Sequence, residues 1–405
     1  MYLDNAAKTQ VKKEVADVVK KSLDEDWYNP SSNYQPGIEA KEKIKQVRKL
    51  IADKINAKPN EIFFTSGGCE GNSWVIDNFE KIMYDPLSHA SVIKTVSKRK
   101  YSVKKIDVNE LGEINIASLC DNLKESCNGF YNDYEEDHDQ YVVTICGGNN
   151  EIGTIQYINT IRDMIEIYNQ NSKDEYCKFY DIYNADYYAD WHKQFIFHVD
   201  GTQMLPYMKI DVQDLGVDMM TFSGAKIGCP SGIGFVYIKE NRQKSIEPLI
   251  YGEQERGLRG GTENVPYILG LGRAIQLLDT DTSHLESLRD YFINKLLTLP
   301  NTKLVGSRLN RLPNNVNICF GNIDAAALLS YLNLNGIYAS SGSACNSNSL
   351  EPSHVLKEIG LSDVEANSCV RFTLSNETTV EELEEVFSVI ERFVTRQNKY
   401  LGKGE

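Results

Sequence analysis

Phe195-Ile196-Phe197-His198-Val199-Asp200-Gly201-Thr202-Gln203 is the stretch that decides the fold. A short apolar run of this kind suits a strand buried in a sheet, and here the strand ends on an acid. One strand and one turn further along, Ser223-Gly224-Ala225-Lys226 sets a lysine among small residues. An acid at a strand end and a lysine in such a turn are what pyridoxal phosphate (PLP) chemistry requires. The lysine forms a Schiff base with the cofactor aldehyde, and the carboxylate keeps the pyridine nitrogen protonated so that the ring accepts electrons. A strand-end aspartate also serves as a cap or turn residue, so the pair needs support from the rest of the chain.

Working outward, Glu61–Thr65, Tyr141–Cys146 and Ile233–Ile238 read as further strands, interleaved with helical stretches. The pattern predicts an α/β fold with a mostly parallel sheet covered by helices. The first of these strands runs into Ser66-Gly67-Gly68-Cys69-Glu70-Gly71-Asn72, a glycine-rich turn opening a helix. Bare amides at a helix N-terminus suit a phosphate. A tight strand–helix turn would be spelled the same way, and the segment matches neither a P-loop nor a dinucleotide fingerprint. From about residue 265 helices dominate, which predicts a smaller α+β C-terminal domain. Residues 15–264 would form the large domain, and 1–14 with 265–405 the small one. Thr379 and Glu382 spell a capping box for the last helix, whose apolar stripe is Leu383, Val386, Phe387, Ile390 and Val394.

The 405 residues include 57 acidic and 43 basic ones, a formal net charge of −14. That balance argues against a general nucleic-acid binder and against docking on an anionic membrane. No apolar run is long enough for a membrane span, and Met1-Tyr2-Leu3-Asp4 does not read as a signal peptide, so cytoplasm is expected. The nine cysteines show no CxxC pair and no spacing suited to zinc, so no metal centre is expected. Residues 128–141 carry five acids and no base, and 172–194 are rich in tyrosine; both look added to the scaffold. Tyr176, Tyr180, Tyr183 and Tyr187 would share one helix face, and the bland reading, packing on their own domain, is preferred to partner docking. Asp133 to Asp139 with His138 reads as a solvated loop rather than a cation site. Ser340 to Ser349 is small and polar with Cys345 in its middle, a spelling for a loop that presents a thiol.

Together these segments resemble the PLP-dependent cysteine desulfurases, NifS- and IscS-like members of the aminotransferase class V family. The resemblance covers nearly the whole chain. It rests on Tyr2–Ala7, Thr65-Ser66-Gly67, Asn149–Thr154, His198-Val199-Asp200, Gln254–Asn264, Ser340–Cys345 and Leu350–His354, in that order. It implies the PLP-dependent transferase (aspartate aminotransferase-like) fold and a homodimer. Lys226 would carry PLP, Asp200 would pair with the pyridine nitrogen, and His89 would stack on the ring and move protons. Gln203 and Asn150 would bond the cofactor oxygen and the substrate. Gly68, Cys69, Ser223 and Gly224 would surround the phosphate, with Thr262 reaching it from the other subunit. Arg371 would clamp the substrate carboxylate, a bidentate task suited to guanidinium. L-cysteine would become alanine, with Cys345 taking the sulfur as a persulfide for an acceptor protein in iron–sulfur cluster assembly or tRNA thiolation. Two other readings stay open: a PLP-fold binding platform without catalysis, and a selenocysteine lyase or other class V enzyme.

The sequence departs from the family pattern at three places. Ala225 replaces the usual histidine before the lysine, Cys69 replaces a phosphate-binding threonine, and Ile227–Ser231 lacks the usual Gly-Pro-Lys. Cys69 and Cys229 are expected to line the cofactor pocket, and PLP binding looser than typical is expected.

Overall fold

The apolar runs of the sequence become a seven-stranded sheet: β1 (Ile62–Thr65), β2 (Lys81–Tyr84), β3 (Val103–Lys105), β4 (Tyr141–Cys146), β5 (Phe195–Asp200), β6 (Met219–Ser223) and β7 (Gly234–Ile238). The computed structural model describes residues 1–98, 102–127, 140–179, 195–341 and 352–401. The strand order is β1-β7-β6-β5-β4-β2-β3. Pairing is parallel from β6 to β3, and β7 runs antiparallel to β1 and to β6. β4 and β5 are buried at every position, as strands covered on both faces must be. This is the mostly parallel α/β sheet expected.

Parallel pairing brings chemistry to one edge, because ligands in open α/β sheets bind beyond the carboxyl ends of the strands. β2 delivers Asp85 to His89 there, β4 delivers Gly147 to Glu151, β5 ends on Asp200, and β6 leads into the Gly224–Lys226 turn. β1 joins them because both Thr65 and Ser223 register with Gly234 of β7. A Cβ on Gly234 would stand 2.5 Å from the Phe222 carbonyl oxygen and 2.7 Å from Gly67 Cα, so only glycine lets these three backbones meet.

A second sheet, in the order β10-β9-β8, is antiparallel: β8 (Thr302–Leu304), β9 (Asn315–Phe320) and β10 (Cys369–Thr373). Its core gathers Leu3, Phe292, Val316, Phe372, Val386 and Ile390. The last helix, Val380–Leu401, begins at the expected box: Glu382 N donates to Thr379 Oγ1, and Thr379 N to the Glu382 carboxylate. Helix Val265–Gln276 differs from expectation. Its Val265, Ile268 and Leu271 pack into the large-sheet core with helices Lys13–Glu25 and Gln35–Ile55. The change of core therefore falls between Gln276 and Ser283, not at Asn264.

Helix Ile158–Phe179 continues into the tyrosine-rich stretch. Tyr180, Tyr183 and Tyr187, the acidic residues Asp133 to Asp139 with His138, and Cys345 lie outside the described residues. Among the described residues, no helix is long and apolar enough to cross a membrane.

Candidate active site

Asp200 closes β5 with its side chain in the interior, where a carboxylate needs partners. Oδ2 accepts from the Asn72 amide at 2.7 Å and Oδ1 from Thr202 N at 3.0 Å. Two residues earlier, His198 lies between Thr144 Oγ1, 2.8 Å from Nδ1, and Thr221 Oγ1, 3.0 Å from Nε2. Burial pushes this imidazole down to about 4, against the pull of Asp200, so the ring stays neutral.

Lys226 ends the tight turn that follows β6, and its Nζ donates to the carbonyl oxygen of Ala7. Gln203 Nε2 donates to the neighbouring carbonyl of Ala6 at 3.0 Å. The N-terminal segment thus runs directly along the lysine turn. Thr9 completes the brace, its N and Oγ1 both donating to the Ala225 carbonyl at 3.1 Å.

Gly67, at φ 145°, turns the chain from β1 into helix Gly68–Asp77. A Cβ on Gly68 would stand 3.1 Å from Thr202 Oγ1, and one on Gly67 would stand 3.7 Å from Ser223 Oγ. Two hydroxyls and a helix N-terminus thus surround one spot, the arrangement that holds a phosphate. Thr202 Oγ1 is buried and has no hydrogen-bond partner among the described residues. Buried polar atoms are rarely left so, and a bound ligand is one resolution.

His89 caps helix Ala90–Ser97, its Nδ1 accepting from Ser91 N at 3.1 Å. In the neutral ring the proton then sits on Nε2. Burial holds His89 below the usual imidazole range; Lys226 and His354 push the same way and Asp200 opposes. Arg371 comes from β10 with its side chain buried. It reaches Asp4 Oδ1 at 2.6 Å and the Asn150 carbonyl at 2.9 Å. Its backbone exchanges hydrogen bonds with Ser340, at 2.7 and 3.1 Å. Across the site, Ser353 Oγ donates to the buried Glu151 carboxylate at 2.5 Å, and His354 Nε2 meets Ser88 O at 3.1 Å. Residues on either side of 342–351, the segment holding Cys345, are therefore fastened at the edge of the site.

The aminotransferase class-V family model matches residues 1–171 and 186–386. The chain belongs to this family. The match omits 172–185, inside the tyrosine-rich stretch read as an addition. A relative named cysteine desulfurase IscS, from Methanosarcina thermophila, is 35% identical over 412 residues, covering 98% of this chain and 92% of that one. A solved NifS-like protein from Rickettsia africae is 30% identical with a TM-score of 0.81, covering 97% and 98%. A structure described as SspA in complex with cysteine is 29% identical with a TM-score of 0.72, covering 92% and 98%.

Pyridoxal phosphate is the cofactor of this class-V family, and the residues present fit it. Among the described residues Asp200 accepts from neutral N–H donors, Asn72 and Thr202 N, and has capacity for a charged one. The orphaned Thr202 hydroxyl faces the glycine turn, and Lys226 lies at the same sheet edge.

Of the class-V positions read from sequence, Asp200, Lys226, Gln203, His89, Gly68, Ser223 and Gly224 gather at the carboxyl edge of the large sheet. Arg371 and Asn150 meet beside them. Thr262 is exposed across a cleft from Ser66, and no hydrogen bond joins it to Gly68 or Ser223 among the described residues. Cys69 is exposed at the start of its helix. Cys229 does not line the pocket. It packs behind the lysine turn between Gly224 and Gly270, where burial pushes its thiol up to about 12. Asn72, Thr202 and Asp4 were not assigned roles by sequence. Asn72 and Thr202 stand inside motifs already quoted, and a polar residue one helical turn from Gly68 was the available signal.

Proposed function

We propose that this class-V protein is a cysteine desulfurase. L-cysteine is converted to L-alanine, and its sulfur passes to Cys345 as a persulfide. One observation supports this most: a buried, oriented guanidinium, Arg371, stands at the sheet edge that holds Lys226 and Asp200, in a chain whose relatives carry that name. The solved relative with cysteine points to the same substrate.

Lys226, Asp200, His89, the Gly67–Gly68 turn, Thr202 and Ser223 would hold the cofactor. Bound there, pyridoxal phosphate supplies an electron sink that lets the amino acid release its α-proton. Arg371 binds the substrate carboxylate, with Asn150 fixing one edge of the guanidinium. Lys226 Nζ takes and returns the α-proton. His89, uncharged near neutral pH, moves a proton at Nε2. Cys345, as thiolate, attacks the substrate sulfur: a C–S bond breaks, an S–S bond forms, and alanine leaves.

The persulfide would go to an acceptor protein in iron–sulfur cluster assembly or tRNA thiolation, in the cytoplasm. The working form would be a homodimer in which Thr262 reaches the partner's phosphate site. The test is alanine and sulfide release from L-cysteine by PLP-loaded protein. Wild type should release both, and Cys345→Ala should lose at least about 100-fold of the rate. No alanine from loaded wild type sinks the proposal.

A further inference from the structure

Cys319 and Cys369 belong to no part of the site described above. They are Cα partners on adjacent antiparallel strands, β9 and β10. Phe320 N donates to Ser368 O at 2.8 Å, so the neighbouring position carries the ladder hydrogen bonds. The cysteines therefore occupy the non-hydrogen-bonded position, where Cα atoms approach to about 4.5 Å and side chains lie closest. That separation is within the range of about 4.4–6.8 Å that a disulfide spans. Both thiols also converge on one acceptor, the Glu365 carbonyl, at 3.5 and 3.1 Å.

A cation completes the group. Lys303 stands opposite Cys319 on β8, and its Nζ pairs with Glu365 Oε1 at 2.6 Å. Interaction with the adjoining Cys369 thiol draws the Cys319 thiol below the usual thiol range, and the Lys303 charge pulls the same way. The same interaction, with burial, pushes Cys369 up. The pair is thus divided into one nucleophilic thiol and one that keeps its proton. The cysteines are 2% and 0% exposed, yet the Lys303–Glu365 pair above them has side chains 51% and 40% exposed. A surface pair of this kind opens easily, which gives a peroxide-sized molecule a way in.

We propose that Cys319 and Cys369 are a dithiol oxidation site that closes into a disulfide across β9 and β10 when it meets hydrogen peroxide. Cys319 thiolate attacks the peroxide, the O–O bond breaks, and a sulfenic acid forms as hydroxide leaves, taking up the proton the thiol had released to become one water. Cys369 then attacks that sulfur, forming the S–S bond and releasing a second water. The two thiols lose two electrons and the peroxide gains them.

The test uses reduced, cofactor-loaded full-length protein treated with hydrogen peroxide, then quenched in denaturant with an alkylating reagent and mapped by peptide mass. The expected product is a linked pair of peptides containing Cys319 and Cys369, lighter by two hydrogens. Cys369→Ser should instead leave Cys319 as a sulfenic acid that a cyclic dione traps. Lys303→Met should slow closure about tenfold. Recovery of both cysteines alkylated, at a peroxide dose that oxidises the exposed Cys69, would overturn the proposal. So would a link that forms only in denatured protein. Neither readout depends on desulfurase activity, so failure here leaves the proposed function standing, and the converse holds.

Discussion

The Asp4 carboxylate meets the Arg371 guanidinium at 2.6 Å, with the arginine side chain only 1% exposed. A guanidinium this buried is held by whatever pairs with it, and loss of one partner of a buried pair is costly. Asp4 thereby sets the direction from which Arg371 can meet a substrate carboxylate. Asp4→Asn should raise KM for L-cysteine about tenfold while kcat stays within about threefold. Steady-state alanine release measures both. A fall in KM would mean that Asp4 competes with the substrate instead of aiming its receptor.

Thr202 Oγ1 is the orphaned hydroxyl of the glycine cradle. If it serves the phosphate, Thr202→Val removes one hydrogen bond to an anion, worth about 1.5–3 kcal/mol. PLP affinity, followed by equilibrium dialysis, should fall by at least about tenfold. Ala225→His, which restores the usual side chain, should tighten binding. Unchanged affinity in the valine variant would remove Thr202 from the site.

Gly234 keeps three backbones together without a side chain. A methyl group there must push either Phe222 or Gly67, and such overpacking costs about 1–3 kcal/mol. Gly234→Ala should lower the melting temperature and also release cofactor, because Gly67 forms the cradle. A lowered melting temperature with cofactor fully retained would separate the cradle from β7.

His198 gives a pH signature with a definite sign. Burial pushes its folded-state value from the ordinary imidazole value of 6.5 down to about 4, so the unfolded chain takes up the proton first as pH falls. Its contribution is fully present above pH 6.5 and is lost as pH drops toward 4, on the order of 3 kcal/mol over that window. Urea unfolding at pH 7 and pH 4.5 should show this loss in wild type and a smaller one in His198→Gln. Equal losses would assign the acid sensitivity to other groups.

What the sequence disclosed follows the range of the interactions involved. β4 and β5 declared their bounds because every residue in them is buried, and the last helix declared its start because a capping box is local. Lys226 and Asp200 were legible for a related reason, since Asp200 ends a buried strand and Lys226 lies in the turn after the next one, whereas His89 was legible only through the family resemblance. Helix Val265–Gln276 was misplaced because an apolar face does not say which sheet it will cover. The Asp4–Arg371 pair spans 367 positions, and the Cys319–Cys369 pairing depends on strand register, so neither is written in any local pattern. Thr202 was passed over because Asp200 and Gln203, on either side, carry more conspicuous chemistry.

The segment Tyr2–Ala7 has a consequence for the order of events during synthesis. Asp4 waits for Arg371, the Asn5 side chain and Ala6 N for Thr373, and Leu3 for the core around β10. Residues 2–7 leave the ribosome long before β10 and therefore find their places only after it has followed them. The Ala6 and Ala7 carbonyls that position Gln203 and Lys226 arrive with them. A nascent chain stalled before β10 would already hold its large sheet yet lack a finished lysine turn, so cofactor capture becomes a check that translation has passed β10.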